Sequence, residues 1–298
     1  MAKIVEICGS PGVGKSTIFK EIERRRKSSD IWTTATNINP YGDQNFTEYV
    51  VNILEEIKKG SSRNSLINQN KESPLAFLKR IYKEIKRGRN YTDPNLKKEA
   101  GERFVEQFPE YINACWGNIN YRQVKSINGL DLRLEKADFI YKIIKKIQII
   151  KENKTNKITI IDEGLINLID RALYKSVNIS EEKEEIASLL KIMPLPDALV
   201  YIETDLHENA KRLVLRRDVR SMHKGLSMNE LIDYTKISRE RVLTAIELLK
   251  SKGIPLLYLN SNDHIKENAS KIIDFAKNRK AEKSILNTLE PKHHLSKS

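Results

Sequence analysis

Short apolar runs alternate with longer helical patterns along most of the chain. The runs are bounded by polar residues, proline or glycine, which is typical of strands buried inside a sheet. The pattern predicts five strands, at residues 4–8, 31–35, 158–162, 198–203 and 255–259.

The alternation of strands and helices predicts the architecture. Such chains form a parallel sheet with helices on both faces, which is a three-layer α/β sandwich. Ligands of these folds bind beyond the carboxyl ends of the strands. The residues that follow each predicted strand are therefore the first candidates for a functional site.

One stretch, at about residues 46–151, contains no convincing strand. Its helical patterns are separated by glycine, serine and an Asp-Pro pair. We expect a helical insertion, which is a usual place to recognise a second substrate, inside a domain that spans residues 1–278. The Lys-rich residues 279–298 are expected to form a flexible basic tail. The helices predicted in the insertion lie at 46–59, 74–87, 95–107, 109–124 and 134–151.

The first predicted strand leads into Gly9-Ser-Pro-Gly-Val-Gly-Lys-Ser16, which matches the phosphate-binding P-loop pattern. A helical pattern follows at once, so the motif has the context that it requires. The glycines let backbone N–H groups turn toward a polyphosphate, and the helix N-terminus adds partial positive charge. Lys15 is expected to reach the β- and γ-phosphates, and the Ser16 hydroxyl to hold Mg²⁺. The predicted ATP-binding residues of this segment are Gly9, Ser10, Pro11, Gly12, Val13, Gly14, Lys15, Ser16 and Thr17.

Two carboxylates follow the third predicted strand. Asp162 is the residue type that P-loop proteins place at this strand end to hold the Mg²⁺ shell, although an acidic residue can also simply end a strand. Glu163 has three roles open to it: it could orient a water for hydrolysis, accept a proton from an acceptor hydroxyl, or extend the metal shell.

Arginines cluster after the fourth predicted strand. Arg216, Arg217 and Arg220 end a helical pattern and lead into residues 221–225, which read as a flexible loop. Arginines on a mobile lid can close over transferring phosphates and exclude water. The alternative is that they balance a helix C-terminus and stay solvated. We assign Arg216 to ATP binding, and Arg217 and Arg220 to the transferring phosphoryl group.

The charge of the chain favours anionic partners. Its 298 residues carry a formal net charge of +13, which suits nucleotides, phosphorylated metabolites or nucleic acid. Biased base composition would also supply many surface lysines. The two cysteines suggest no disulfide framework, and no Cys/His cluster has zinc spacing. Because we find no signal peptide and no apolar run long enough to span a membrane, we expect a cytoplasmic protein.

These motifs together resemble those of thymidylate kinases and related nucleoside and nucleoside-monophosphate kinases. The resemblance rests on the P-loop, on Pro196-Asp-x-x-x-Tyr-Ile-Glu203 and on the helix with Arg212, and it covers residues 1–20 and 155–278. It implies a lid after that helix. Thymidylate kinases have Asp-Arg where this chain has Asp162-Glu163, and that arginine helps to bind the acceptor phosphate. Arg122 and Arg133 are the candidates to replace it.

The sequence thus predicts a P-loop NTPase sandwich that acts as a Mg-ATP-dependent phosphotransferase on an anionic acceptor. The alternative is an ATPase switch that acts with a protein or nucleic-acid partner. In that case Glu163 would polarise water, and the basic residues 79–89 would bind nucleic acid. A polynucleotide or sugar kinase on the same core is a third option. The sequence leaves the acceptor unnamed and a homodimer open.

Overall fold

A computed structural model describes residues 3–38, 94–121, 133–153, 155–172, 179–216, 223 and 225–289. The helices predicted at 46–59 and 74–87, the basic segment 79–89 and the end of the tail from residue 290 lie outside these ranges. The described ranges comprise the sheet, the second half of the predicted insertion and the helices that follow it.

Five strands form one sheet in which every neighbouring pair is parallel. The order across the sheet is β2-β3-β1-β4-β5, so the strand that leads into the P-loop lies at the centre. The predicted parallel α/β sandwich with five strands is confirmed. The strands are β1 (Lys3–Cys8), β2 (Trp32–Thr34), β3 (Ile158–Ile161), β4 (Ala198–Glu203) and β5 (Leu256–Asn260).

Helices cover both faces of the sheet because apolar side chains point out of both faces. On one face, β1 packs with Val5 and Ile7 against α1 and α9. On the other, Ile4 and Cys8 belong to a larger core with α3, α4, α5, α6 and α8. The described helices are α1 (Lys15–Arg25), α2 (Pro94–Gln107), α3 (Pro109–Tyr121), α4 (Arg133–Glu152), α5 (Leu165–Ala172), α6 (Ile179–Ile192), α7 (Leu206–Val214), α8 (Met228–Ser251) and α9 (Ile265–Leu289).

Several boundaries differ from the predicted ones. Asp162 lies just past β3, in the turn before α5, and Ala35 begins a short 3-10 helix after β2. Helix α9 extends past residue 278, where the sequence predicts the domain to end. Helix α7 ends at Val214, so Arg216 lies beyond it. None of the described helices is both long enough and apolar enough to cross a membrane.

Candidate active site

The predicted P-loop connects the end of β1 to the start of α1. Gly12 has a φ of 91°, and a Cβ atom there would lie 2.4 Å from the Asn209 side-chain oxygen. Gly9 has a φ of 144°, and a Cβ atom there would lie 2.3 Å from the carbonyl oxygen of Ile202. Any side chain at either position would displace neighbouring atoms, so glycine is required for this path of the backbone.

The side chain of Lys15 folds back over this loop. Its Nζ atom donates to the carbonyl oxygens of Gly9 at 2.5 Å and Ser10 at 3.0 Å. The ammonium group is thus held against the backbone of the loop, and in P-loop proteins this lysine meets the phosphates of a bound nucleotide. Carbonyl groups are weaker partners for a cation than phosphate oxygens, so this position is compatible with exchange for a ligand.

Four strand ends contribute to one cavity over the loop. Its volume is about 380 Å³, and it brings Lys15 and Ser16 together with Glu163 from the turn after β3. Arg212 and Arg216 enter it from the segment after β4, and Ser261 from the loop after β5. The described residues that line it are Pro11, Gly12, Val13, Gly14, Lys15, Ser16, Thr17, Ile18, Glu163, Arg212, Arg216, Ser261 and Ile265.

The two adjacent carboxylates after β3 point to different surroundings. Glu163 lines the P-loop cavity, whereas Asp162 is not among the described residues that line it. The Oδ1 atom of Asp162 lies 3.6 Å from the Nζ atom of Lys146 on α4. Both side chains are partly exposed, so this ion pair is open to solvent and to a competing cation.

Helix α7 is fastened both to the P-loop and to the loop after β5. Its first turn is capped by Asp205, which accepts from the backbone N–H groups of His207 and Glu208 at 2.9 and 3.1 Å. The buried Asn209 amide donates to the Ser10 hydroxyl at 2.9 Å. One turn later, Arg212 donates to the Ser261 hydroxyl at 2.8 Å.

Asn209 is a residue of this site that no sequence motif predicts. The available signal was its spacing of three from Arg212, which places both side chains on one face of a helix. Pairing with Ser10 could not be read from this spacing, because the two residues are 199 positions apart.

The remaining predicted site residues are not brought to the cavity by described contacts. Arg122, Arg217 and Arg220 lie outside the described residues. Arg133 is exposed at the first residue of α4, about 20 Å along the helix axis from Lys146 at 1.5 Å per residue. The acceptor role of Arg122 and Arg133 stays a prediction, as does the role of Arg217 and Arg220 in transfer.

A second, larger cleft lies beside the Asp162 end of β3 and is strongly basic. Its volume is about 1010 Å³, and its walls come from α1, the segment after β2, α2 and α4. Lys146 belongs to this cleft and to the ion pair with Asp162, so it connects the cleft with the turn after β3. The charged residues that line it are Lys20, Glu23, Arg24, Lys97, Lys142, Lys145 and Lys146.

A buried carboxylate lies directly beneath the turn after β3. Glu6, in the middle of β1, is 1% exposed, and its Oε1 atom accepts from the backbone N–H of Asn167 at 3.0 Å. Burial raises the pKa of Glu6 to about 7, while N–H groups at the start of α5 and the charge of Lys146 oppose that rise.

The raised pKa of Glu6 gives the stability of the fold a defined pH dependence. Between the ordinary value of 4.5 and about 7, the folded protein keeps a proton that the unfolded chain releases. The contribution to stability is therefore complete below the ordinary value and is lost as the pH rises through about 7. Glu6→Gln removes this titration.

We expect the free energy of unfolding of the wild type to fall relative to that of Glu6→Gln when the pH is raised from about 5 to about 8. Urea denaturation of both proteins at each pH measures the difference, and groups that titrate equally in both cancel. A difference that does not change with pH would contradict the raised pKa.

Similarity to known proteins is found among solved structures. No protein-family model and no curated protein matches the chain. The chain is similar to the structure of deoxyadenosine kinase from M. mycoides with bound dATP, with 14% identity, coverage of 92% of this chain and 99% of that chain, and a TM-score of 0.34. At that degree of likeness, the assignment to the P-loop NTPase fold rests on the strand order and on the loop after β1.

Proposed function

We propose that this protein is a Mg-ATP-dependent phosphotransferase that resembles thymidylate and nucleoside-monophosphate kinases. The observation that carries the proposal is the cavity over the P-loop, in which Lys15 and Ser16 meet Glu163 and the arginines of the α7 segment. Phosphoryl transfer depends mainly on positioning and on neutralisation of charge, and this cavity gathers the groups for both.

Each group has a role in this proposal. Lys15 and the loop amides hold the phosphates of ATP. Arg217 and Arg220 stabilise the transferring group from a lid, and Glu163 accepts the proton of the acceptor when the attacking group is a hydroxyl. The acceptor oxygen then forms a bond to the γ-phosphorus, the bond to the β-phosphate oxygen breaks, and ADP leaves.

We infer that Mg²⁺ accompanies ATP at this site. Within the described ranges, no group of three or more His, Cys, Asp or Glu side chains could hold a metal ion. Mg²⁺ in nucleotide sites takes few protein ligands and completes its shell with phosphate oxygens and waters. The hydroxyl of Ser16 would hold it, together with the carboxylate of Asp162 once that side chain has exchanged Lys146 for the metal, and the ion would neutralise charge on the phosphates.

The basic cleft suits an acceptor that carries a phosphate group. Three of its cations are already paired: Arg24 with Glu21, Lys142 with Asp138, and Lys146 with Asp162. Lys20, Lys97 and Lys145 make no ion pair with a described residue, and Glu23 is the one acidic side chain among the described lining residues. Three lysines against one glutamate leave two positive charges in excess, which complement a phosphate dianion of charge about −2.

Lys146 is the residue of this cleft that forms an ion pair with the turn after β3, next to Glu163. It brings a cation from α4 to the end of β3, where the resemblance to thymidylate kinases leads us to expect an arginine. We therefore expect Lys146→Ala to raise the KM for the acceptor by about tenfold, while the affinity for ATP changes by less than about twofold. Lys191→Ala, at an exposed position of α6, is the matched control. An acceptor KM that stays unchanged would remove Lys146 from the acceptor site.

One observation favours the alternative of an ATPase switch. Glu163 lines the same cavity as Lys15, which is also where a residue that polarises water would lie. ADP release separates the two functions when it is measured alone and with a panel of nucleosides, nucleotides, sugars and oligonucleotides. A phosphotransferase turns over slowly alone and much faster with the correct acceptor, since the acceptor completes the site. Rapid release that no acceptor accelerates would overturn the proposal.

A further inference from the structure

A buried carboxylate in a central strand needs an explanation. Glu6 lies between Ile4 and Cys8, which are core residues, and it has no ion pair within 4.0 Å among the described side chains. Burial of a carboxylate without a paired cation is costly, and an apolar side chain of similar size would pack in a strand core at lower cost. The contacts of the Glu6 oxygen atoms therefore have to explain why a carboxylate is present in this strand.

Those oxygens bind the first turn of α5. The backbone N–H of Asn167 lies 3.0 Å from Oε1, and the side-chain amide of Asn167 lies 3.5 Å from the same atom. The backbone N–H groups of Gly164 and Ile166 also stabilise the charged form. These groups have no partner inside the helix, and they carry the positive end of its dipole.

The fit between Glu6 and this turn is close. A Cβ atom on Gly164 would lie 2.4 Å from the Oε2 atom of Glu6, so only glycine leaves room for the carboxylate. The side-chain amide of Asn167 also donates to the carbonyl oxygen of Ile7 at 2.9 Å. The start of α5 is thus attached to β1 through both the side chain and the backbone of that strand.

Asp162 and Glu163 lie between two attachments to the same strand. On one side, Ile161 of β3 pairs with Glu6 in the parallel ladder. On the other side, Gly164 and Asn167 contact the Glu6 carboxylate. Strand β1 also carries the P-loop at its carboxyl end, so the same strand fixes the phosphate loop and the two acidic residues.

We propose that Glu6 is a positioning residue, whose carboxylate fixes the turn that presents Asp162 and Glu163 to Mg-ATP. The inference rests on the proposed function. It predicts that a change at Glu6 alters the contribution of Mg²⁺ to nucleotide binding and leaves the P-loop contacts with the phosphates in place. Glu6→Gln keeps the shape of the side chain but replaces one acceptor oxygen by an NH₂ donor, which faces N–H groups that are themselves donors.

Calorimetry of ATP binding at about pH 8, with Mg²⁺ and with EDTA, tests this role without an activity measurement. In Glu6→Gln the gain in affinity from Mg²⁺ should fall by about tenfold, as for other residues that orient metal ligands, while affinity in EDTA stays within about twofold. Asp162→Asn removes the carboxylate itself, so it shows how much of the gain in affinity from Mg²⁺ is lost when this ligand is absent. Thr159→Val, a buried polar residue of the neighbouring strand, should keep the wild-type gain.

A second variant keeps the test informative if Glu6→Gln does not fold. Gly164→Ala pushes the turn away from the carboxylate and should reduce the gain from Mg²⁺ in the same way. A wild-type gain in either folded variant overturns the proposal, and so does an equal loss of affinity with and without Mg²⁺. If the wild type binds no ATP, or gains nothing from Mg²⁺, the proposed function itself fails and the positioning role fails with it.

Discussion

Lys15→Ala is expected to lower the affinity for Mg-ATP by at least about tenfold, which corresponds to about 1.4 kcal/mol. The ammonium group lies inside the P-loop, 2.5 Å from the carbonyl oxygen of Gly9 and 3.0 Å from that of Ser10. From this position the ammonium group can meet the phosphates of a bound nucleotide, and alanine leaves their charge without it.

Calorimetry on the purified variant measures this loss. Lys27→Ala is the control, because Lys27 is also a lysine near α1 but is exposed beyond the end of that helix. A variant with thermal stability like that of the wild type separates loss of binding from loss of folding. Unchanged Mg-ATP affinity in Lys15→Ala would contradict the assignment of the loop as a nucleotide site.

The second large effect is expected on the transfer rate. Arg217→Ala and Arg220→Ala should each lower kcat by about 10²-fold or more, with a smaller change in ATP affinity, because they act mostly on the charge that develops in the transition state. Helix α7 ends at Val214, and Arg216, the last described residue before these two arginines in the chain, lines the P-loop cavity.

Arg279→Ala supplies the control for these variants. Its carbonyl oxygen accepts from Lys3 at 2.7 Å, which places it at the start of β1, at the opposite end of that strand from the P-loop. We expect this variant to keep the wild-type kcat. If Arg217→Ala and Arg220→Ala change ATP affinity as much as kcat, the two arginines bind ground-state nucleotide and do not stabilise the transfer.

The features that the sequence predicts correctly are local. The P-loop pattern, the strand before it and the helix after it are all encoded within residues 4–25, and each apolar run is visible without knowledge of its neighbours. The alternation of strands and helices predicts that the strands are parallel. The order of the strands across the sheet depends on the path of the chain.

The features that it misses depend on contacts between distant segments. Asn209 meets Ser10 across 199 positions, and Glu6 meets Asn167 across 161 positions. Lys146 reaches Asp162 from a helix of the predicted insertion, whose packing on the sheet no pattern in the sequence specifies. Glu6 is the one charged residue of the predicted strand at 4–8, but that pattern alone does not indicate which groups its carboxylate contacts.

The positions of the two carboxylates after β3 are only partly predicted by their place at a strand end. Their position at a strand end predicts that both lie near the nucleotide, and the structure separates them. Glu163 lines the P-loop cavity, and Asp162 meets Lys146 at the basic cleft. Adjacent residues in a turn point in different directions, so the sequence cannot assign each of them to metal, water or acceptor.

The fate of the γ-phosphoryl group of labelled ATP tests the central claim most directly. Once the panel has identified an acceptor, the account predicts that the label moves to it in an amount equal to the ADP released, in a reaction that needs Lys15 and Mg²⁺. It also predicts that transfer needs Arg217 and Arg220. Label that is released as inorganic phosphate at one rate with or without acceptor, in a reaction that needs Glu163 but neither arginine, would contradict the account and identify an ATPase.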